Sequence, residues 1–155
     1  NFYSSIESRS SPPHLNFKDN YQDHDAISNL WVFGKNNKLS QEIKAQLSQY
    51  EVKVNAQGVT LDGRYFKWKN HSFVFALSHH NFYNKQIVWI VAPSKKSITG
   101  LIRKLPHYGK YGYLVFKGNE PKNVIKGTWP SSRVGLEHVF IKGTYPLFPK
   151  APLIK

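Results

Sequence analysis

The chain has 155 residues, 40% of them hydrophobic and 15% aromatic, and a formal net charge of +13. That length fits one domain, able to bury about 70% of its unfolded surface without a metal or disulfide staple. Cysteine is absent, which excludes disulfides, thiolate metal sites and cysteine nucleophiles together.

Residues 1–28 read as a linker or docking segment. Ser4, Ser5, Ser8, Ser10 and Ser11 run into Pro12-Pro13 and a polar stretch from Asp19 to Asp25, with no sustained apolar period. A domain is expected over 29–142. Leu30-Trp31-Val32-Phe33, closed by Gly34, predicts a short, fully buried strand. Asn36 or Asn37 can then cap a helix in which Leu39, Ile43 and Leu47 form one apolar stripe, ending near Tyr50. Val52, Val54 and Val59-Thr60-Leu61 follow. Asp62-Gly63 is a strong hairpin signal, because a type I′ turn needs positive φ at both central residues. Arg64 to Trp68 would return.

Phe73–Leu77 and Ile87–Val91 read as central strands buried on both faces, separated by a polar loop from Ser78 to Lys85. Ser94 is placed to cap a second helix carrying Ile98, Leu101, Ile102 and Leu105. Lys95 and Lys96 in its first turn oppose the helix dipole by about 0.3–1 kcal/mol each, which four aliphatic side chains outweigh. Pro106 stops that helix, and Tyr111–Phe116 forms the next strand. Strand, helix, strand over Ile87–Phe116 predicts a βαβ unit with a right-handed crossover. Asn123–Lys126 is expected at a sheet edge. Val134–Ile141 adds another strand or packs on a neighbouring domain, and 143–155 is an extended tail. The fold expected is a three-layer α/β domain, Rossmann- or flavodoxin-like, with a mostly parallel sheet and a β-hairpin insertion.

Charge is unevenly spread. Residues 1–62 hold six bases and seven acids, whereas residues 63–155 hold sixteen bases with only Glu120 and Glu137 as acids. Such asymmetry suits a lysine-rich surface or an anionic partner such as nucleic acid. No apolar run approaches the roughly 20 residues of a membrane span. With no methionine at position 1 or elsewhere, the chain reads as a piece of a longer polypeptide.

Motifs for chemistry are sparse. There is no His-Glu-x-x-His, no Gly-x-Ser-x-Gly, no Gly-Lys-Ser/Thr loop, and Gly34–Asn37 lacks the dinucleotide fingerprint. No catalytic or metal-binding residue is assigned. His79-His80 follow a central strand, where α/β sheets place sites, but they lack an acidic partner nearby. An enzyme site joining Ser78–His80 to Ser94 is the least favoured reading. A candidate anion site is Ser94, Lys95, Lys96 and Ser97, at the start of a helix with free N–H groups. Arg64, Tyr65, Phe66, Lys67, Trp68 and Lys69 interleave bases with aromatics. They suit a nucleic-acid-stacking strand or a hairpin with one buried face. His107, Tyr108, Lys110, Tyr111 and Tyr113 form a polar-aromatic cluster that fits an interdomain contact or core filling equally.

Leu105–Gly118, continued through Lys126-Gly127-Thr128-Trp129-Pro130, resembles the C-terminal region of large bacterial proteins of the aminopeptidase N-type zinc metallopeptidase (gluzincin) family. The resemblance spans about residues 29–135 and is most specific over Lys104–Lys117 with Lys126–Pro130. It implies a non-catalytic accessory domain whose partner is an upstream peptidase domain of the same polypeptide. Zinc is expected only there, with no cofactor in this chain. His107, Tyr108, Lys110, Tyr111 and Trp129 are then the candidate interdomain contact. The alternative is a basic module for nucleic acid or another anionic partner.

Overall fold

The computed structural model describes residues 29–79 and 85–130. The predicted lead-in over 1–28, the strand at Val134–Ile141, the tail over 143–155 and His80 lie outside the described residues. The elements run β1 (Leu30–Phe33), α1 (Ser40–Ser48), β2 (Lys53–Val54), β3 (Gly58–Leu61), β4 (Arg64–Lys67), β5 (His71–Ser78), β6 (Gln86–Val91), α2 (Lys95–Lys104), a 3-10 turn (Leu105–Tyr108), β7 (Tyr113–Lys117) and β8 (Lys122–Gly127).

Five strands form one sheet in the order β1-β6-β5-β7-β8, and β2-β3-β4 form a separate antiparallel ribbon. In the large sheet only β1 and β6 pair in parallel; the other three pairings are antiparallel. The expectation of a mostly parallel, Rossmann- or flavodoxin-like sheet is therefore wrong. The reason lies in the connections. β5 reaches β6 through residues 79–85, and β7 reaches β8 through residues 118–121. Both are too short for a parallel crossover, which takes about a dozen residues or more. Strand β6 does lead through α2 to β7, and both point the same way. But β5 lies between them, antiparallel to each, so the expected βαβ neighbours never touch.

Alternation along the strands sorts the core onto two faces. On one face Phe73, Phe75, Leu77, Ile87, Trp89, Val91, Val115 and Ile125 meet Ile43 and Leu47 of α1 with Leu39 just before it, and Val59, Leu61 and Phe66 of the ribbon with Trp68 just after it. On the other, Val74, Ile90, Leu114 and Phe116 lie against Leu101, with Leu105 and Tyr108 packed at the margin. One helix thus covers one face, and a helix plus the ribbon covers the other. Trp89, Phe73, Phe75 and Phe116 are completely buried. Burying each such ring is worth about 1.5–3 kcal/mol.

Local signals decided several boundaries. The expected asparagine cap of α1 is not formed: Leu39 is the N-cap, without a side-chain cap, and Asn37 instead makes a turn just ahead of the helix, its Oδ1 accepting from the Leu39 N–H at 3.0 Å and its carbonyl from the Ser40 N–H. Asp62 (φ 52°) and Gly63 (φ 69°) form the left-handed pair expected of the type I′ hairpin. Ser94 caps α2 by accepting from the Ser97 N–H at 3.1 Å. β1 departs from expectation. It is an edge strand rather than a fully buried one, and Trp31 is 52% exposed. Among the described residues no helix is long and apolar enough to cross a membrane.

Candidate functional site

Antiparallel pairing separates residues that a parallel sheet would have gathered. Ser78 pairs with Gln86, at the opposite end of β6 from Val91 and hence from Ser94. Ser78-His79 and Ser94 therefore sit at opposite ends of the sheet, and the site imagined between them does not assemble. His79 is buried, with its backbone N–H donating to the Lys85 carbonyl at 2.8 Å. Among the described residues no group of three or more His, Cys, Asp or Glu is placed to hold a metal ion.

The candidate anion residues are drawn into an internal network. Besides capping Ser97, the Ser94 hydroxyl donates to Asn119 Oδ1 at 2.8 Å, and the Ser97 hydroxyl reaches the same oxygen at 3.2 Å. Ser97 is buried, while Lys95 and Lys96 are exposed. Beside this helix start lies a shallow hollow of about 280 Å³, lined by Lys69, Asn70, Pro93, Lys117, Gly118 and Asn119. The chain thus brings Lys69 and Lys117, distant in sequence, to the end of the sheet where α2 begins. The basic-aromatic hairpin resolves in favour of a buried face: Phe66 and Trp68 enter the core, leaving Tyr65 as its one exposed ring.

The opposite end of the sheet is different in character. Tyr108 packs edge-on against Phe116, and the Lys126 ammonium lies over both Tyr108 (5.8 Å) and Tyr111 (5.1 Å). Lys110 also lies over Tyr111, at 5.4 Å. His107 and Lys110 are exposed. Trp129 does not join this group. It belongs to the other face of the sheet, with Tyr50 and Tyr113. The candidate interdomain set therefore divides into a lysine–tyrosine group on the α2 face and Trp129 on the α1 face.

Trp129 is fixed from several directions. Its Nε1–H donates to the Ala76 carbonyl at 2.7 Å, just past the point where β7 stops pairing with β5. Its ring stacks on Tyr50 at 4.6 Å and 27°, and lies 4.9 Å from Tyr113. Gly112 makes the approach possible, because a Cβ there would come within 2.6 Å of the indole. The Gly112 carbonyl accepts from the Ala76 N–H, and the Gly112 N–H donates to the Gly127 carbonyl, both at 2.8 Å. Gly127 in turn leaves room for the Tyr113 ring.

Tyr50, Tyr113 and Trp129 line a cleft of about 240 Å³, together with Glu51, Leu61, Asp62, Gly63, Thr128 and Pro130. No sequence signal points to this grouping, since Glu51 belongs to no motif and only folding joins it to Asp62. Glu51 holds a left-handed backbone at φ 60°. It stands where α1 ends, with Val52 N–H donating to the Leu47 carbonyl and Glu51 N–H to the Ser48 carbonyl. That is a Schellman ending, whose left-handed position is most often glycine. A glutamate there costs about 1 kcal/mol. Comparison with protein-family models, curated proteins and solved structures finds no match for this chain.

Proposed function

We propose that this chain is a non-catalytic accessory domain of a zinc metallopeptidase of the aminopeptidase N type. One observation carries the reading. The residues on which the resemblance is most specific, Lys104–Lys117 and Lys126–Pro130, interlock as a scaffold: Gly112 and Gly127 admit Trp129 and Tyr113, and the indole closes onto Ala76. Residues locked together in this way serve the domain's shape rather than bond-making. The exposed His107 and Lys110, with the Tyr108–Tyr111–Lys126 group, form the surface offered to the peptidase domain.

The coding sequence upstream of Asn1 tests the connection. A His-Glu-x-x-His helix followed by a further glutamate is expected, and an unrelated upstream domain refutes it. The isolated chain should hydrolyse no aminoacyl-coumarin substrate and copurify with no stoichiometric zinc; turnover with bound zinc overturns the non-catalytic reading. A second reading, a module for an anionic partner, is favoured by Lys69 and Lys117 at the hollow beside α2. It requires retention on heparin that weakens steeply with salt.

A further inference from the structure

We propose that residues 15–25 fold back over Trp31 and Phe33 of β1 and close the flank of the sheet that α2 leaves open. The proposal goes beyond the accessory-domain assignment and does not depend on it.

Cover of the sheet is the first argument. Five strands spaced about 4.8 Å apart make a face roughly 20 Å wide, and one helix is about 10 Å across, so α2 cannot span it. Leu101 seats that helix on Val74, Ile90, Leu114 and Phe116, over β5, β6 and β7. Toward β8 the remaining width is filled by Tyr108 and Tyr111, with the Lys126 ammonium over them. Toward β1 no described element fills it. Leu30 and Val32 turn to the α1 face, so Trp31 and Phe33 turn to the α2 face, where their rings lie 6.5 Å apart. Trp31 is 52% exposed, more than any other large hydrophobic side chain among the described residues.

The two edges of the sheet are the second. β8 carries the marks of a guarded edge. It has a register shift against β7 at Val115/Phe116, an Asn123 side chain donating to the Val115 and Ile125 carbonyls, and Lys122 and Lys126 along its length. β1 carries none of these. It is Leu-Trp-Val-Phe, without charge, proline or register shift, and among the described residues it pairs only with β6. Native proteins cover such an edge rather than leave it as a template for other chains.

Reach and charge name the occupant. Residues 1–28 run straight into β1, and Asn29 Oδ1, accepting from the Gln86 N–H at 2.9 Å, fixes where they arrive. Phe33 lies about 13 Å along the strand from Asn29, a distance that roughly four returning residues cover, so residues 15–25 have length to spare after a turn. Leu15, Phe17 and Tyr21 supply the apolar contact. Residues 1–28 hold four acids, among them Asp19, Asp23 and Asp25, against two bases, whereas the described residues hold sixteen bases against four acids. Lys35 and Lys85 stand at the two ends of β1, so opposite charge meets along the flank. A second copy would set +13 against +13. Residues 131–155, with four bases and Glu137 as their one acid, depart from β8 at the far edge.

The test uses the full chain carrying 5-fluorotryptophan, with the Trp31 ¹⁹F signal assigned by its loss in Trp31→Phe. The solvent isotope shift of that signal between light and heavy water reads its exposure. Trp31 should show clearly less than half the shift of the free amino acid, the level that 52% exposure would give. Phe17→Ser combined with Tyr21→Ser should raise it to that level, with far-UV circular dichroism unchanged. Replacing Asp19, Asp23 and Asp25 together by asparagine should raise it part of the way. The chain has no cysteine, so a nitroxide on Asn16→Cys labels one place only. It should broaden the Trp31 signal more than those of Trp68 and Trp129 on the other face, and ascorbate should restore it. A shift already at half in the parent chain, or one unmoved by the Phe17 and Tyr21 substitutions, would overturn the proposal. Stronger broadening from a nitroxide on His138→Cys would overturn it in favour of the C-terminal segment, and broadening only between labelled and fluorinated molecules in favour of a second copy. None of these readouts depends on zinc or hydrolysis, so failure here leaves the accessory-domain assignment to be judged by its own test.

Discussion

Replacing Gly100 by alanine sets two opposed effects against each other in the middle of α2. Alanine is the better helix former by about 1 kcal/mol, so an exposed site would gain that much. Gly100 is buried, however, and a Cβ there would lie 2.3 Å from Pro121 Cδ and 2.9 Å from Cγ. Ordinary carbon contacts fall near 3.5–4.0 Å, so the overlap is roughly 1 Å. The proline ring cannot swing aside, because Pro121 is itself buried in the β7–β8 connection. Nor can α2 retreat. Its start is tied to Asn119 through Ser94 and Ser97, and its end to the Pro121 carbonyl through Lys104. Overpacking of this kind costs typically 1–3 kcal/mol. The net expectation is a loss of up to about 2 kcal/mol, read by urea unfolding followed by far-UV circular dichroism. In Pro121→Ala the obstacle is gone, so Gly100→Ala in that background should become neutral or stabilising. The cycle should show a coupling above about 1 kcal/mol. A Gly100→Ala chain with a higher urea midpoint and unchanged slope would refute the packing argument.

Two further substitutions test the hydrogen-bond assignments. Ser72 is fully buried on β5, and its Oγ has no partner among the described residues. An orphaned buried hydroxyl costs about 1–3 kcal/mol, so Ser72→Ala should raise the urea midpoint, by about 1 kcal/mol in stability. A fall of that size would show that the hydroxyl is satisfied. Trp129→Phe keeps an aromatic ring but leaves the Ala76 carbonyl without its indole donor, and should cost about 1–3 kcal/mol. Hydrogen exchange at the start of β7 should accelerate in the same variant, and unchanged exchange there would argue against the clamp.

Much of the local structure was written in short-range signals. Ser94 and Asp62-Gly63 fix where α2 begins and the hairpin turns, because a cap or a positive-φ pair depends only on a few neighbouring residues. The apolar runs at Phe73–Leu77 and Ile87–Val91 located strands buried on two faces. The parallel expectation took those runs as a sign of strand direction, although burial on both faces is compatible with either direction. The seven-residue link between β5 and β6 already argued for antiparallel pairing.

The cleft is another matter. Tyr50 and Glu51 follow α1, Asp62 sits in a hairpin turn, Tyr113 begins β7 and Trp129 follows β8. No spacing rule links them, since their proximity depends on how the ribbon, α1 and the β7–β8 pair settle on one face of the sheet. Sequence alone therefore determined caps, turns, strand positions and the basic charge balance, all set by neighbours along the chain. Tertiary structure alone decided strand direction and the meeting of two carboxylates with three aromatic rings. Both depend on contacts between segments that the chain's local chemistry does not specify.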